Sequence, residues 1–421
     1  MAPQTSRIPE FYKKSYEERL QILKEQADLS DEEIHILRLH AAASFGTVSR
    51  MIENVVSVMF LPLGMATNFL INGEEYVIPM AVEESSVVAA ACNAAKLARY
   101  SGGFKVSSTE PVMIGQVQLL GIEDFVTSKN TIFCYKDRIL VLANAHDRVL
   151  VANGGGAIDL EIQVLDTKRG PMLIVYLLVN VCDAMGSNIV NTMVEGIAPF
   201  LEDLTGGYAR LRVVSNYAVR RVVKATAIWK KEIIGAEVVE GVLDADALAF
   251  ADPYRAATHN KGIMNGVDAV VIATGNDFRA VEAGAHSYAA RNGLYQPLST
   301  YYKNEEGDLV GELEMPLAIG IVGGITKSHP IAQLCLKILR VKSAQQLAEI
   351  IGAVGLAQNF AALRVLVREG LQRGHMRLHS KNMAGNVGAV GEEIDAIADR
   401  MVSEHCISAG RARELFEELK K

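Results

Sequence analysis

Long uninterrupted apolar runs are missing from this chain. Those present, such as Met172–Val179, fall well short of the roughly 20 residues a bilayer-spanning helix needs, and the polar N-terminus carries no signal-peptide pattern. The expectation is a cytoplasmic protein with no membrane partner. Cysteine is scarce and scattered. Cys92, Cys134, Cys182, Cys335 and Cys406 are odd in number, far apart and without a C-x-x-C pair, which argues against a disulfide framework and a zinc site. Basic stripes are absent too: the net charge is −7 with both signs interspersed, so no surface for nucleic acid is visible. No G-x-G-x-x-G fingerprint follows a strand, and a Rossmann fold is not indicated.

What is present is a core. With 421 residues and half of them hydrophobic, the chain has enough apolar surface for two or three domains. Residues 1–50 are charged and helix-rich, with Ser30-Asp-Glu-Glu33 a capping-box start for a helix running toward His40–Ala43, and read as a packing or dimerisation arm. Asn72-Gly73 marks a hairpin turn between two strands. Glu83-Glu84-Ser85-Ser86 then opens a small-residue helix that ends at Gly102-Gly103. A glutamate there complements a helix N-terminus as readily as it does chemistry.

From Pro111 the order becomes strand (Val112–Gly121), helical stretches (Asp124–Ala145), strands (Asp159–Asp166 and Met172–Cys182), helix (Asn188–Leu201) and strand (Ala209–Ser215). That β-α-β-β-α-β order is ferredoxin-like and suggests a small domain inserted into a larger one. Such sheets also bind RNA, but that use needs exposed aromatics on the central strands, and Tyr176 stands alone there. Gly186, between the third strand and its helix, permits close backbone approach at a helix N-terminus, a place for a phosphate. The flexible Asn153-Gly-Gly-Gly156 reads as a plain loop.

The stretch Asp252–Asp277 concentrates the polar chemistry. Arg255, His259, Asn260, Lys261 and Asn265 precede Val267–Ala273, which reads as a buried strand; a turn, Thr274–Asp277, and a helix, Phe278–Arg291, follow. A lysine there can donate to a developing oxyanion with a carboxylate holding it, although Asp277 before a helix serves equally as an N-cap. Gly320, Gly323 and Gly324 suggest a close-approach loop before helices Pro330–Leu339 and Ala344–Ala357. Near the C-terminus, a helix from Leu366 ends at Gly374. His375 follows, and Ala384–Gly391 reads as a glycine-rich hinge, so that His375 suits a gated acid or base.

Seven segments in fixed order resemble one family: ENVV at 53–56, PMAVEESSVVAA at 79–90, DAMGSN at 183–188, HNKGIMNG at 259–266, ATGND at 273–277, IVGGITKSHP at 321–330 and RGHMRLH at 373–379. They are similar to 3-hydroxy-3-methylglutaryl-CoA reductase over nearly the whole chain, in particular to its soluble second class from bacteria and some archaea. The resemblance implies an α+β protein with a large mixed α/β substrate domain, an inserted ferredoxin-like (βαββαβ) cofactor domain and a helical C-terminal flap. The corresponding spans are 1–110 and 217–370 for the large domain, 111–216 for the small one and 371–421 for the flap. It implies catalytic roles for Glu84 (or Glu83, one register off), Lys261, Asp277 and His375. Arg255, Ser86 and Asn265 fall where the family holds the hydroxymethylglutaryl group, and Asp183, Met185, Gly186 and Asn188 where it holds the dinucleotide. Asp147 matches an aspartate that bonds a ribose hydroxyl and repels a 2′-phosphate, which favours NADH, while Lys168 and Arg169 leave NADPH open. The implied partners are HMG-CoA or mevalonate and coenzyme A, and a second copy in a homodimer with the active site at its interface, or a higher oligomer. No metal is called for.

Those residue types suit the chemistry. Reducing a thioester to an alcohol takes two hydride transfers, each placing charge on a carbonyl oxygen that a fixed cation can meet. A carboxyl beside Asp277 would be raised in pKa by the like charge, making Glu84 an acid near neutrality. His375 would protonate the departing thiolate. Two alternatives compete. One is an inactive dinucleotide- or acyl-CoA-binding protein of the same fold. The other is a nicotinamide enzyme with a cysteine nucleophile, for which no cysteine sits beside a candidate base.

Overall fold

A left-handed turn, Asn72 at φ 51° and Gly73 at φ 84°, joins strands β1 (Leu63–Ile71) and β2 (Glu74–Ala81), a backbone that Asn-Gly adopts with little strain. The computed structural model describes residues 5–38, 51–54, 56–368, 380–404 and 406–420. β3 (Phe104–Ser108) lies parallel to β1, and the chain then leaves this sheet, returning more than a hundred residues later as β8 (Val222–Trp229). A last hairpin, β9 (Ser299–Lys303) and β10 (Leu309–Pro316), completes six strands in the order β2-β1-β3-β8-β10-β9.

Trp229 marks the centre of the large core. Its ring stacks on Phe360 with centroids 3.9 Å apart, meets Phe104 edge-on, and donates its indole N–H to Ala94 O at 3.2 Å. Phe360 belongs to the Ala344–Arg368 helix, which is long and apolar enough to cross a bilayer, contrary to the short-run expectation. However, 72% of its most apolar window is buried inside this fold, where it packs on the sheet and three other helices.

The excursion between β3 and β8 forms a second sheet from β4 (Val112–Leu120), β5 (Gly156–Thr167), β6 (Gly170–Asn180) and β7 (Tyr208–Ser215). Its order is β5-β6-β4-β7 and its pairings are all antiparallel, the connectivity of a ferredoxin-like βαββαβ unit. Helices Phe125–Cys134, Lys136–Ala145 and Ser187–Thr205 cover one face and enclose a separate apolar core. Helix Ser187–Thr205 approaches closely because Gly115 has no side chain: a Cβ there would stand 2.5 Å from Val194 and 2.7 Å from Val190.

At the N-terminus, Ser15 and Ser30 each open a helix with a complete capping box, Tyr16–Ala27 and Asp31–Leu37. Leu20, Leu23 and Ile34 pack on Leu334 and Ile338, so the arm covers its own chain. Its second helix ends at Leu37; residues 39–50, including His40–Ala43, lie outside the described residues. Beyond residue 379, helices Glu392–Ser403 and Ala409–Leu419 close a small core of their own with Ala384 and Ala389. The hinge expected at Ala384–Gly391 begins as helix through residue 386 and turns only afterwards, with Gly388 and Gly391 at positive φ.

Candidate active site

The strand expected at Val267–Ala273 is helical. One helix runs from Pro253 to Ala273, capped by the Asp252 carboxylate, which accepts the Tyr254 and Arg255 amides, with Pro253 in the first turn. The apolar run misleads because this part of the helix is enclosed on most sides: Val267, Ala269, Val270, Val271 and Ala273 are all buried. Two signals point to helix: the Asp-Pro start, and Asp268 inside the run. Asp268 faces Glu282 of the Phe278–Ala289 helix, and burial, reinforced by Glu282, pushes its carboxyl up to about 8.

Lys261, expected just ahead of a strand, sits inside that helix. Its Nζ reaches Glu84 Oε2 at 3.0 Å. Glu84, rather than the exposed Glu83, makes this contact, just before the Val87–Ala98 helix. Ser86 caps that helix at φ 74° without a side-chain hydrogen bond, a left-handed conformation costing a non-glycine residue on the order of 1–3 kcal/mol. Glu84, Ser86, Arg255, Lys261 and Asn265 line one cleft of about 490 Å³. Asn265 lies one turn along the helix from Lys261, and Arg255 is half-buried near the helix start.

The opposite wall comes from the Ala344–Arg368 helix, and here sequence reasoning missed contributors. Gln358 and Asn359, both buried, line the cleft together with His259. Asn359 Oδ1 accepts from Ser299 Oγ and Tyr301 OH, and Ser299 meets His259 Nε2 at 2.6 Å. Burial, with Arg255 adding repulsion, drops His259 to about 3, so it is neutral at physiological pH. Among the described residues, His259 Nδ1 and Gln358 Oε1 are buried without a hydrogen-bond partner. A polar Gln-Asn pair inside an otherwise apolar helix was the available signal.

Asp277 is not part of this constellation within one chain. It caps the Phe278–Ala289 helix, its Oδ1 accepting the Arg279 and Ala280 amides and Arg279 Nε at 3.1 Å. Burial raises its carboxyl, but the Arg279 guanidinium and those amides outweigh it, leaving the pKa below the ordinary value. Ala273, at the helix end, is twelve residues on from Lys261, about 18 Å at the helical rise. The expected raising of Glu84 by Asp277 therefore has no geometric basis inside a single chain. His375 falls in residues 369–379, outside the described residues.

The residues expected at the dinucleotide lie together on the small sheet's side. Gly186, at φ 100°, begins the Ser187–Thr205 helix with no side chain capping it; a Cβ there would meet Val181 at 2.6 Å. Met185 precedes it, and Asn188 is in the first turn. The Asn153–Gly156 loop packs alongside, for a Cβ at Gly155 would touch Asn180 O and Cys182 Sγ within 2.8 Å. Asp147 caps the short Arg148–Ala152 helix through Oδ1 to the Leu150 amide at 2.8 Å, with Oδ2 remaining. Asp183, at the start of the same loop, accepts the Ala344 amide on Oδ1 at 2.7 Å, across to the large core. Lys168 and Arg169 are exposed at the β5–β6 turn.

Comparison with known proteins agrees on one family. The sequence model described as hydroxymethylglutaryl-coenzyme A reductase matches residues 15–380. A 3-hydroxy-3-methylglutaryl-coenzyme A reductase of Archaeoglobus fulgidus is 53% identical over 417 residues, covering 99% of this chain and 95% of that protein. A probable enzyme of that name in Borreliella burgdorferi is 35% identical, covering 88% and 84%. Among solved structures, a class II reductase of Streptococcus pneumoniae bound to NADPH in open conformations superposes with a TM-score of 0.82 at 40% identity, over 97% of this chain and 100% of that one.

Proposed function

The chain belongs to the hydroxymethylglutaryl-coenzyme A reductase family, and from that premise we propose that it reduces the hydroxymethylglutaryl thioester to mevalonate and coenzyme A, or runs the reverse oxidation, in the cleft where Lys261 meets Glu84. The observation that carries this reading is the 3.0 Å contact between them at the mouth of a cleft also lined by Arg255, Ser86 and Asn265.

A bound nicotinamide dinucleotide supplies the hydride. Charge developing on the carbonyl oxygen is met by the Lys261 ammonium, which a buried helix holds in place in both reduction steps. Arg255, Ser86 and Asn265 orient the acyl group, with the Arg255 guanidinium suited to its free carboxylate. The carboxyl of Glu84, touching Lys261, is placed to hand a proton to the aldehyde oxygen in the second step. His375 protonates the departing thiolate in the first. NADH is the favoured donor on the strength of Asp147, whose Oδ2 remains for a ribose hydroxyl.

Asp277 enters from a second copy. Its position at the far end of the Lys261 helix supports this, and so does the segment Val56–Leu61 shortly after Glu53, where Val56 is 94% and Met59 89% exposed. Apolar side chains so exposed in one run mark a surface that another chain covers. Lys261 and Glu84, with 61% and 37% of their side chains in water, need such a cover before their charges act at low dielectric. The chain is read as four spans, 1–110, 111–216, 217–370 and 371–421, supported by the separate apolar cores. Placement in the cytoplasm is supported by five free cysteines.

One set of assays tests this, following nicotinamide absorbance with both coenzymes. Lys261→Ala is expected to lower kcat by about two to three orders of magnitude for both acyl-CoA and added mevaldehyde while acyl-CoA still binds. His375→Gln is expected to cripple the acyl-CoA reaction and spare mevaldehyde, which releases no thiolate. Turnover within tenfold of the unsubstituted enzyme in Lys261→Ala removes that residue from the mechanism, equal slowing of both substrates in His375→Gln removes the thiolate role, and a higher kcat/KM with NADPH reverses the coenzyme assignment.

A further inference from the structure

The turn that carries Asp277 and the loop Asp183–Asn188 belong to different halves of the molecule, yet a continuous run of hydrogen bonds joins them. Asn276, immediately before Asp277, accepts the Gly320 amide on Oδ1 at 2.7 Å and is itself steadied by Thr274 Oγ1 at 3.1 Å. The adjoining carbonyl, that of Ile319, accepts from Arg221 Nη2. From the same guanidinium, Nη1 donates to Ala184 O at 3.1 Å and Met185 O at 3.4 Å. Asp183 closes the junction: its carbonyl accepts the Ile321 amide and its carboxylate the Ala344 amide.

The run is tight as well as continuous. Arg221 is 4% exposed, and it stands where the chain re-enters the large sheet, immediately before β8. Gly320 lies so close to the loop that a Cβ there would stand 2.4 Å from the Met185 nitrogen. Joining two loops for stability alone calls for apolar packing, because withdrawing a cation from water is costly. A planar fork of donors meeting three carbonyls does something apolar packing does not: it fixes the direction of each peptide it touches.

We propose that Arg221 is a positioning residue for the dinucleotide: it sets the backbone of Ala184 and Met185 and, through Ile319, Gly320 and Asn276, holds that loop in register with Asp277. The dinucleotide and Asp277 of one chain then approach the Lys261–Glu84 pair of the second copy as a single rigid unit. This rests on the reading of Asp183–Asn188 as the dinucleotide loop.

The test uses the full chain, with NADH and NADPH titrated by fluorescence and both substrates varied in steady state. Arg221→Met is expected to raise the dinucleotide Kd and KM by about tenfold or more, the scale of losing hydrogen bonds from a charged donor, with the acyl-CoA KM within about twofold. Arg221→Lys, which keeps the charge and loses the fork, should remain impaired for the dinucleotide. Asn276→Ala breaks the run at its other end, and should lower kcat with little change in dinucleotide Kd; it and Arg221→Lys carry the test if Arg221→Met does not fold. Unchanged dinucleotide affinity in folded Arg221→Met or Arg221→Lys, an equal rise in both KM values, or full kcat in Asn276→Ala overturns the proposal. An unsubstituted chain that binds neither dinucleotide overturns the functional reading itself.

Discussion

At the scale of single residues, the molecule treats its carboxylates in opposite ways. Glu75 accepts from Arg99 through both oxygens, at 2.6 and 2.9 Å, and from the Ser6 amide at 2.9 Å, which ties the N-terminal segment to the first hairpin. Burial alone would raise its pKa, but Arg99 and Ser6 prevail and bring it from the ordinary 4.5 to about 2. A carboxyl depressed on folding stabilises the protein above its unfolded pKa, and that stability is lost as pH falls toward the folded value. Discounted for the fifth of the side chain still in water, the contribution is about 2 kcal/mol. Glu75→Gln should therefore destabilise by about that amount at pH 7 in urea unfolding, with the gap narrowing as pH falls from 4.5 to about 2. A gap that stays constant with pH would mean the carboxylate charge is not what holds Ser6. Glu84 sits in the other regime, open to solvent beside a single lysine, where water keeps the pair adaptable.

At the scale of elements, much was legible and the failures share a cause. The Asn72-Gly73 hairpin, the Ser30 capping box, the helix after Ser86 and the strand and helix order of the small sheet follow from turn and capping chemistry, which is local. The Pro253–Ala273 helix was misread because its apolar pattern records what surrounds it, and surroundings are set by distant residues such as Val354 and Gln358. For the same reason the cleft's second wall and Arg221 carried no local mark. Motif resemblance grouped Glu84 with Lys261, which the 3.0 Å contact matches, and it implied an interface site without saying that Asp277 is the residue lying apart from them in one chain. Close packing also makes an element-level prediction. Gly115→Ala pushes against two β-branched valines of the Ser187–Thr205 helix, and such overpacking costs about 1–3 kcal/mol. Because that helix starts at Gly186, the expected outcome is a lower Tm together with a dinucleotide KM raised more than the acyl-CoA KM. A loss of stability with both KM values unchanged would show that the helix absorbs the methyl without moving its N-terminus.

At the scale of the whole molecule, the proposed division of the active site between two copies has a distinctive signature in mixtures of variants. Lys261→Ala and Asp277→Ala chains should each be nearly inactive alone. Mixed after dissociation, half of the dimers are hybrids, and each hybrid has one site with both residues intact and one with neither, so activity returns to about a quarter of the unsubstituted level. No recovery from a mixture shown to contain hybrids would place both residues in one chain's site. The crossing between the two sheets bears on how such a chain reaches its native state. Thr109, where the backbone leaves the large sheet, accepts the Val222 amide and donates its own amide to Val222 O, so the ends of an excursion of roughly 110 residues touch. That contact continues the register of β3 on β8, one pair beyond Ser108 and Val223. Closing so long a floppy loop is entropically expensive, whereas an inserted unit already collapsed on its own core presents its two ends side by side. The connectivity predicts a folding order, with the small sheet forming first as the clasp on which the large one shuts; the fluorescence of the lone tryptophan, Trp229 on β8, should then change in the later phase of refolding, and a change in the first phase would reverse the order.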